Sequence, residues 1–157
     1  MIETGNLALE VSGAESMGCL GVGTNPEELL VCAVSSCYIA TLVGVLRRAE
    51  LPVESVTVSA GGTVTGFPGH ARFSRITVSP TILGGEVARQ LEYEGAVGIA
   101  RDRCLIGRAL ASQVAYEVGS VHVRAGAVLA TAPAQPLPQS DNGRPVAAIV
   151  DQRCPTG

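Results

Sequence analysis

The hydrophobic and polar positions near the start of the chain predict a short strand followed by a long helix. Residues 6–11 alternate in polarity, as a half-buried strand does. After a glycine-rich loop, Thr24 and Asn25 are both suited to cap a helix that opens on Pro26. Two glutamates follow in its first turn, where they complement the helix dipole. The pattern predicts a helix from about Pro26 to about Glu50.

The rest of the ordered pattern mixes strands with shorter helices. Residues 53–64 and 71–81 alternate as the two strands of a hairpin, joined by a turn rich in glycine and proline. A second helix is expected over about 85–99 and a short third helix over about 104–111. A last strand is expected over 114–123.

The middle of the long helix is unusually apolar. Residues 29–46 form a stretch of 18 residues without a charge, which meets the minimum length of a membrane span. The stretch also contains serine, threonine, glycine and cysteine, and it stands alone in an otherwise soluble pattern. We therefore favour a buried core helix over membrane association. One chain of this size has little material to cover a helix on every side, so the pattern also indicates an oligomer.

Length and composition fit one domain followed by a tail. The chain has 157 residues, of which 46% are hydrophobic and 16% charged, and this balance argues against disorder in its main part. The last 25 residues hold five of the nine prolines. We therefore predict a domain over residues 1–132 and a proline-rich, poorly ordered tail over 133–157. Within that tail, residues 146–150 are the segment best suited to dock on the domain.

Charge and cysteine content limit the partners and cofactors. A net charge of −3 and 3% aromatic residues argue against nucleic-acid binding. Residues 1–5 show no secretory signal, and an odd number of cysteines then predicts a reduced, cytoplasmic protein. No cysteine pair has metal-ligand spacing, and the glycines of 21–26 lack the third glycine of a dinucleotide fingerprint. We expect no metal, no cofactor, no nucleic acid and no membrane among its partners.

Candidate chemistry centres on cysteines and one glutamate. On the long helix, Glu27 lies about 80° around the axis from Cys37, so both can border one cleft. Cys32 lies about 140° from Cys37 on the same rigid helix, which excludes a disulfide between them. Cys104 is the natural candidate partner, because the start of a helix lowers a thiol pKa. A free cysteine without a chemical role behaves as a small buried hydrophobic residue. This remains our interpretation of Cys19 and Cys32.

Several of these segments together resemble the OsmC/Ohr family of osmotically inducible and organic hydroperoxide resistance proteins. The segments are Asn25-Pro26-Glu27-Glu28-Leu29, Ser36-Cys37-Tyr38, the Leu-Pro-Val hairpin and Cys104-Leu105-Ile106-Gly107-Arg108-Ala109-Leu110. The resemblance extends over roughly residues 6–125. It implies an α+β protein in the OsmC-like fold, with antiparallel sheets around two long central helices. It also implies an intertwined homodimer.

The resemblance further implies a thiol-dependent peroxidase that reduces organic hydroperoxides to alcohols in oxidative stress defence. Cys37 would be the peroxidatic cysteine, oxidised to a sulfenic acid, and Cys104 would resolve it as a disulfide. A dithiol or lipoyl-type reductant would restore the pair. Glu27 matches the family's active-site glutamate, which pairs with an arginine near the reactive sulfur.

Two positions differ from the family pattern. The family's arginine comes from an N-terminal strand, whereas no arginine precedes Arg47 here, so Arg72, Arg75 or Arg101 would have to replace it. The residue after the second cysteine is often proline and is Leu105 here. Without the arginine, the reactive thiol lacks a charge that lowers its pKa. The alternative is an OsmC-like protein without peroxidase activity that binds a small apolar ligand at the dimer cleft.

Overall fold

The order of helices and strands follows the sequence pattern, with one strand added at each end and the last predicted strand, 114–123, divided into two. The structure is a computed structural model that describes residues 2–4, 7–13, 19, 22–66, 69–126 and 144–153. The elements are β1 (Ile2–Thr4), β2 (Leu7–Leu9), α1 (Pro26–Arg48), β3 (Ser55–Thr65), β4 (Arg72–Leu83), α2 (Gln90–Arg103), α3 (Leu105–Leu110), β5 (Ala115–Val118), β6 (His122–Arg124) and β7 (Arg144–Arg153). A single 3-10 turn, Val87–Arg89, precedes α2.

Helix α1 begins at a capping box. Asn25 Oδ1 accepts the backbone N–H of Glu28 at 2.8 Å, and the Glu28 carboxylate accepts the N–H of Asn25 at 3.3 Å. The Thr24 hydroxyl donates to the same carboxylate at 2.9 Å. Pro26 occupies the first turn, where its missing N–H costs nothing. The predicted helix start is confirmed, and Asn25 rather than Thr24 is the cap.

Replacing Asn25 with alanine is expected to lower the free energy of unfolding by about 1 kcal/mol. The N–H of Glu28 then loses its acceptor at the start of the longest helix. Urea unfolding followed by circular dichroism measures the change. Asn25→Asp keeps an acceptor oxygen and serves as the matched control, so it should stay close to the wild type. Equal stability of wild type and Asn25→Ala would contradict the capping role.

A five-stranded mixed sheet forms one layer of the protein. β3 pairs antiparallel with β4 on one side and with β7 on the other. β5 and β6 both pair with β4 in parallel, and β1 and β2 form a separate antiparallel pair. The sequence expectation was of antiparallel sheets throughout. The parallel pairs arise because α2 and α3 carry the chain back along the sheet before β5 begins.

Strand β7 lies where the sequence predicts a poorly ordered tail. Residues Arg144–Arg153 pair antiparallel with β3 along its length. The segment 146–150, singled out as able to dock, is the middle of this strand. The strand satisfies hydrogen-bonding groups that β3 would otherwise leave unpaired at the sheet edge. Residues 133–143 and 154–157, Cys154 included, lie outside the described residues.

The hydrophobic core lies between the sheet and α1. Alternate residues of β3 and β4 are buried on one sheet face, in pairs such as Val56 opposite Ile82 and Ala60 opposite Val78. α1 packs against β3, β7, α2 and α3. Its buried residues are Val31, Val34, Ser35, Tyr38, Ile39, Leu42, Val43, Val45 and Leu46. This arrangement holds the middle of α1 firmly against α2 and α3, where the candidate cysteines lie.

The other face of α1 is only partly covered by the protomer. Within the described part of the chain, α1 is the one helix long and apolar enough to cross a membrane, and half of its apolar window is buried inside the protein. A core helix of a soluble protein passes the same test of length and composition. The uncovered face carries small side chains, among them Ala33, Ser36, Ala40 and Gly44.

Candidate functional site

Cys37 lies in the middle of α1, at the border between the core and the uncovered face. Its side chain is half-buried and packs against the hydrophobic core. One turn later, the Thr41 hydroxyl donates to the Cys37 carbonyl at 2.8 Å, which adds a second bond to the helical backbone here. The thiol is therefore held by a rigid helix and is still reachable from solvent.

Cys104 lies at the junction of α2 and α3 and is fully buried. Its backbone N–H donates to the Ala100 carbonyl at 2.9 Å and ends α2. Its sulfur accepts the backbone N–H of Gly107 at 3.4 Å and so caps α3. The junction between the two helices therefore fixes the direction of the Cys104 thiol.

The two thiols meet beside one turn of α1. Cys104 Sγ lies 4.0 Å from the carbonyl oxygen of Val34, which is on the same turn as Cys37. The Cys37 thiol lies close enough to Cys104 to raise the pKa of the Cys104 thiol. Both cysteines are free rather than bonded in a disulfide. The structure thus brings together the two cysteines that the sequence analysis paired.

The remaining described cysteines take no part in this site. Cys32 is free and half-buried on α1. Cys19 is free and exposed in the loop between β2 and α1, so the sequence interpretation of Cys19 as a buried hydrophobe is wrong. The burial of a single loop residue such as Cys19 depends on its neighbours in the folded protein, and the sequence around it does not specify them.

Burial raises the pKa of the Cys104 thiol above its ordinary value. The N–H of Gly107 and the Tyr116 hydroxyl act in the opposite direction because each stabilises a thiolate, while Cys37 raises the pKa further. The sequence analysis expected the helix start to lower this pKa. Desolvation outweighs the helix terminus here, so Cys104 holds its proton more firmly than an exposed thiol.

Tyr116 is a site residue that the sequence analysis missed. It lies on β5, and its Oη atom is buried without a hydrogen-bond partner of good geometry in the described chain. Its ring packs directly on Gly107, where an added Cβ would lie 2.2 Å from Tyr116 Cε1. Burial raises the pKa of Tyr116, and the neighbouring Cys104 raises it further. No local signal marks this tyrosine, because a strand residue next to a helix start is placed by the fold alone.

Tyr38 differs from Tyr116 although it also lies near the thiols. It is fully buried, and its hydroxyl donates to the Val97 carbonyl at 3.4 Å. Burial raises the pKa of Tyr38, and Cys104 adds to that shift. With its hydroxyl bonded to the backbone of α2, Tyr38 belongs to the packing between α1 and α2.

Glu27 does not reach the thiol pair within one protomer. It lies half-buried in the first turn of α1, and ten residues of helix separate it from Cys37 by about 15 Å along the axis. Among the described residues, Glu27 forms no ion pair or side-chain hydrogen bond. Of the candidate substitute arginines, Arg75 pairs with Glu117 at 3.3 Å and Arg101 with Asp102 at 2.7 Å.

The functional groups of the site are two thiols, the Tyr116 hydroxyl and a backbone N–H. In the described part of the chain, no cluster of three or more His, Cys, Asp or Glu side chains is placed to hold a metal ion. A half-exposed thiol beside a buried one is an arrangement that can accept an oxygen atom at one sulfur and then close a disulfide. The site therefore suits reversible thiol oxidation.

Comparison with known proteins identifies the family. The chain belongs to the OsmC-like proteins, whose family model matches residues 18–119. The uncharacterised protein YmaD of Bacillus subtilis (strain 168) is 31% identical over 120 residues, which cover 74% of this chain and 80% of YmaD. Through this family the chain is related to organic hydroperoxide resistance and redox proteins. The resemblance found in the sequence is confirmed.

Solved structures show the same α+β fold. An organic hydroperoxide resistance protein OsmC from Legionella pneumophila matches with a TM-score of 0.65 at 24% identity, over 76% of this chain and 84% of that one. A putative organic hydroperoxide resistance protein from Vibrio cholerae, with captopril bound in one of its active sites, matches with a TM-score of 0.63 at 23% identity, over 74% and 77%. These matches confirm the predicted OsmC-like fold class.

Proposed function

We propose that this protein is a thiol-dependent peroxidase that reduces organic hydroperoxides to alcohols. The observation that carries the proposal is the pairing of half-exposed Cys37 with fully buried Cys104 in one site. One sulfur is placed to meet a peroxide, and the other is shielded from it but able to resolve the product. The family relation to organic hydroperoxide resistance proteins supports this assignment. The apolar core around Cys37 favours organic substrates over hydrogen peroxide.

In the first step, the Cys37 thiolate attacks the outer oxygen of the hydroperoxide. The S–O bond forms, the O–O bond breaks, and the alkoxide takes up a proton and leaves as the alcohol. In the second step, the Cys104 sulfur attacks the sulfur of the Cys37 sulfenic acid. The S–S bond forms and hydroxide leaves. The Cys104 thiol gives up its proton as its sulfur attacks, and that proton converts the departing hydroxide to water.

We further propose that the working unit is a homodimer. The small side chains on the uncovered face of α1 allow a second helix to approach closely. A dithiol or lipoyl-type reductant then completes the cycle by thiol–disulfide exchange.

The proposal is tested by adding cumene hydroperoxide to the reduced protein with and without dihydrolipoamide. We expect catalytic consumption of the peroxide when the dithiol is present. Without it, mass spectrometry of the digested protein should find Cys37 linked to Cys104 while Cys32 remains a thiol. Failure to consume the peroxide, or a disulfide that omits either cysteine of the pair, would refute the two-cysteine mechanism.

One observation favours a second function. Glu27 lacks the arginine partner that the family's peroxidase site uses, at least among the described residues. The alternative is therefore an OsmC-like protein that binds a small apolar ligand at the cleft between two subunits and performs no peroxide chemistry. Peroxide consumption by the wild type no faster than by Cys37→Ser would support this alternative.

A further inference from the structure

We infer that the Tyr116 hydroxyl and the Gly107 backbone N–H form a two-donor site for the thiolate of Cys104. This inference rests on the proposed function, because that chemistry requires Cys104 to carry a negative charge twice in each cycle. The site serves the sulfur when it attacks the sulfenic acid and again when the disulfide is reduced. Tyr116 is thereby a hydrogen-bond donor to a reacting atom rather than a packing residue.

The Gly107 N–H and the Tyr116 ring both meet at the residue that bonds to the Cys104 sulfur. The Gly107 N–H already points at Cys104 Sγ, with 3.4 Å between nitrogen and sulfur. The Tyr116 ring lies against the same glycine, since an added Cβ would lie 2.2 Å from Cε1 and 2.7 Å from Cζ, the carbon that carries the hydroxyl. Glycine at position 107 is thus what allows the ring to bring Oη next to the sulfur.

Among the described residues, the resting state gives the buried Tyr116 hydroxyl no hydrogen-bond partner, which is unusual for a buried group. The other two tyrosines have partners. Tyr93 donates to the Pro52 carbonyl at 2.7 Å, and Tyr38 donates to the Val97 carbonyl. A neutral thiol is a weak acceptor, whereas an anionic sulfur accepts strongly. An unpaired donor beside Cys104 is therefore matched to the charged form of that cysteine.

Burial determines which sulfur becomes charged during reduction. The external dithiol reaches Cys37, because Cys104 is fully buried. Its thiolate bonds to the Cys37 sulfur, the S–S bond breaks, and the electron pair goes to Cys104. The second thiol of the dithiol then displaces Cys37, and its proton ends on Cys104. Since water does not reach this sulfur, the protein itself must supply hydrogen bonds to the departing thiolate. The Tyr116 hydroxyl already lowers the pKa of Cys104 against the effect of burial.

The first test needs no peroxide. Diamide links Cys37 to Cys104, and the rate of reduction by dithiothreitol is then measured for wild type, Tyr116→Phe and Tyr93→Phe. We expect Tyr116→Phe to slow reduction by about tenfold, because the loss of one hydrogen bond to an anionic sulfur raises the activation free energy by about that factor in rate. Tyr93→Phe removes a buried hydroxyl that is bonded elsewhere, so it should keep the wild-type rate. Equal rates in all three proteins, or failure of diamide to form this disulfide, would overturn the inference.

The second test distinguishes charge stabilisation from packing. With Cys104 as the sole cysteine, its ionisation is followed over pH by the carbon-13 chemical shift of its Cβ, which needs no reagent to reach the buried sulfur. Losing a donor to the thiolate raises the pKa, so Tyr116→Phe should move the midpoint to higher pH and Tyr93→Phe should not. An unmoved midpoint in Tyr116→Phe would count against the donor role.

A third measurement separates this inference from the proposed function. Dimedone trapping after cumene hydroperoxide should show Cys37 sulfenic acid forming in Tyr116→Phe at the wild-type rate, followed by slower disulfide formation. A wild type that forms no sulfenic acid would refute the peroxidase, while the diamide experiment would still decide the role of Tyr116. Slowed sulfenic acid formation in Tyr116→Phe would contradict a role confined to Cys104.

Discussion

Replacing Cys37 with serine is expected to reduce the consumption of organic hydroperoxide by about 10³-fold or more. A serine hydroxyl does not ionise near neutral pH, so the variant lacks the nucleophile that attacks the peroxide oxygen. The variant should also fold normally, because the side chain is half-buried and serine is slightly smaller than cysteine. Steady-state consumption of cumene hydroperoxide with dihydrolipoamide measures the effect.

Cys32→Ser is the matched control for this variant. Cys32 lies on the same helix, is likewise half-buried, and carries the same free thiol. It points about 140° away around the axis of α1, so its removal should leave turnover within about twofold of the wild type. A similar loss in both variants would show that α1 tolerates no serine at these positions. Full activity in Cys37→Ser would place the reactive thiol elsewhere.

Replacing Leu42 with alanine is expected to lower the free energy of unfolding by about 2–5 kcal/mol. Leu42 is completely buried at the centre of α1, within the core cluster that joins the helix to the sheet. Truncation leaves a cavity that the surrounding strands and helices cannot fill, because they are tied to each other by backbone hydrogen bonds. Urea unfolding monitored by circular dichroism gives the difference.

Leu91→Ala is the matched control, because it makes the same leucine-to-alanine substitution at an exposed position. Leu91 lies on α2 and is 83% exposed in the protomer, so the same truncation should change the free energy of unfolding by less than about 0.5 kcal/mol. A loss at Leu91 as large as at Leu42 would mean that a second copy buries this face of α2. Comparable, small effects at both positions would contradict the assignment of Leu42 to the core.

Local signals were enough to predict the elements that carry the site. The cap, the proline and the acidic first turn of α1 are neighbours in sequence, and they form the observed capping box without help from the rest of the chain. The β3–β4 hairpin and α3 likewise follow from short patterns of alternation and turn residues. The two cysteine motifs, with the helix start and the hairpin, were sufficient to indicate a resemblance to the family, and that resemblance implies the pairing of Cys37 with Cys104.

Features that depend on distant neighbours were not predictable in this way. Residues 144–153 were predicted to be part of a loose tail because the composition around them is rich in proline. Their strand forms by pairing with the edge of β3, which is distant in sequence. Glu27 and Cys37 are expected to border one cleft without touching, and what encloses that cleft depends on whatever packs around α1. The exposure of Cys19 follows from the course of a loop, which the residues of the loop do not specify.

The sequence by itself indicated Cys37 and Cys104 as the candidate sulfurs, and the tertiary structure decided the surroundings of each thiol. Local rules suggest a lowered pKa for Cys104, since it starts a helix. In the folded protein the same thiol is removed from water, and its pKa is raised. The hydroxyl that opposes this shift comes from Tyr116 on β5, against Gly107. Desolvation and the approach of a donor depend on everything that surrounds an atom, so they exist only once the chain has folded.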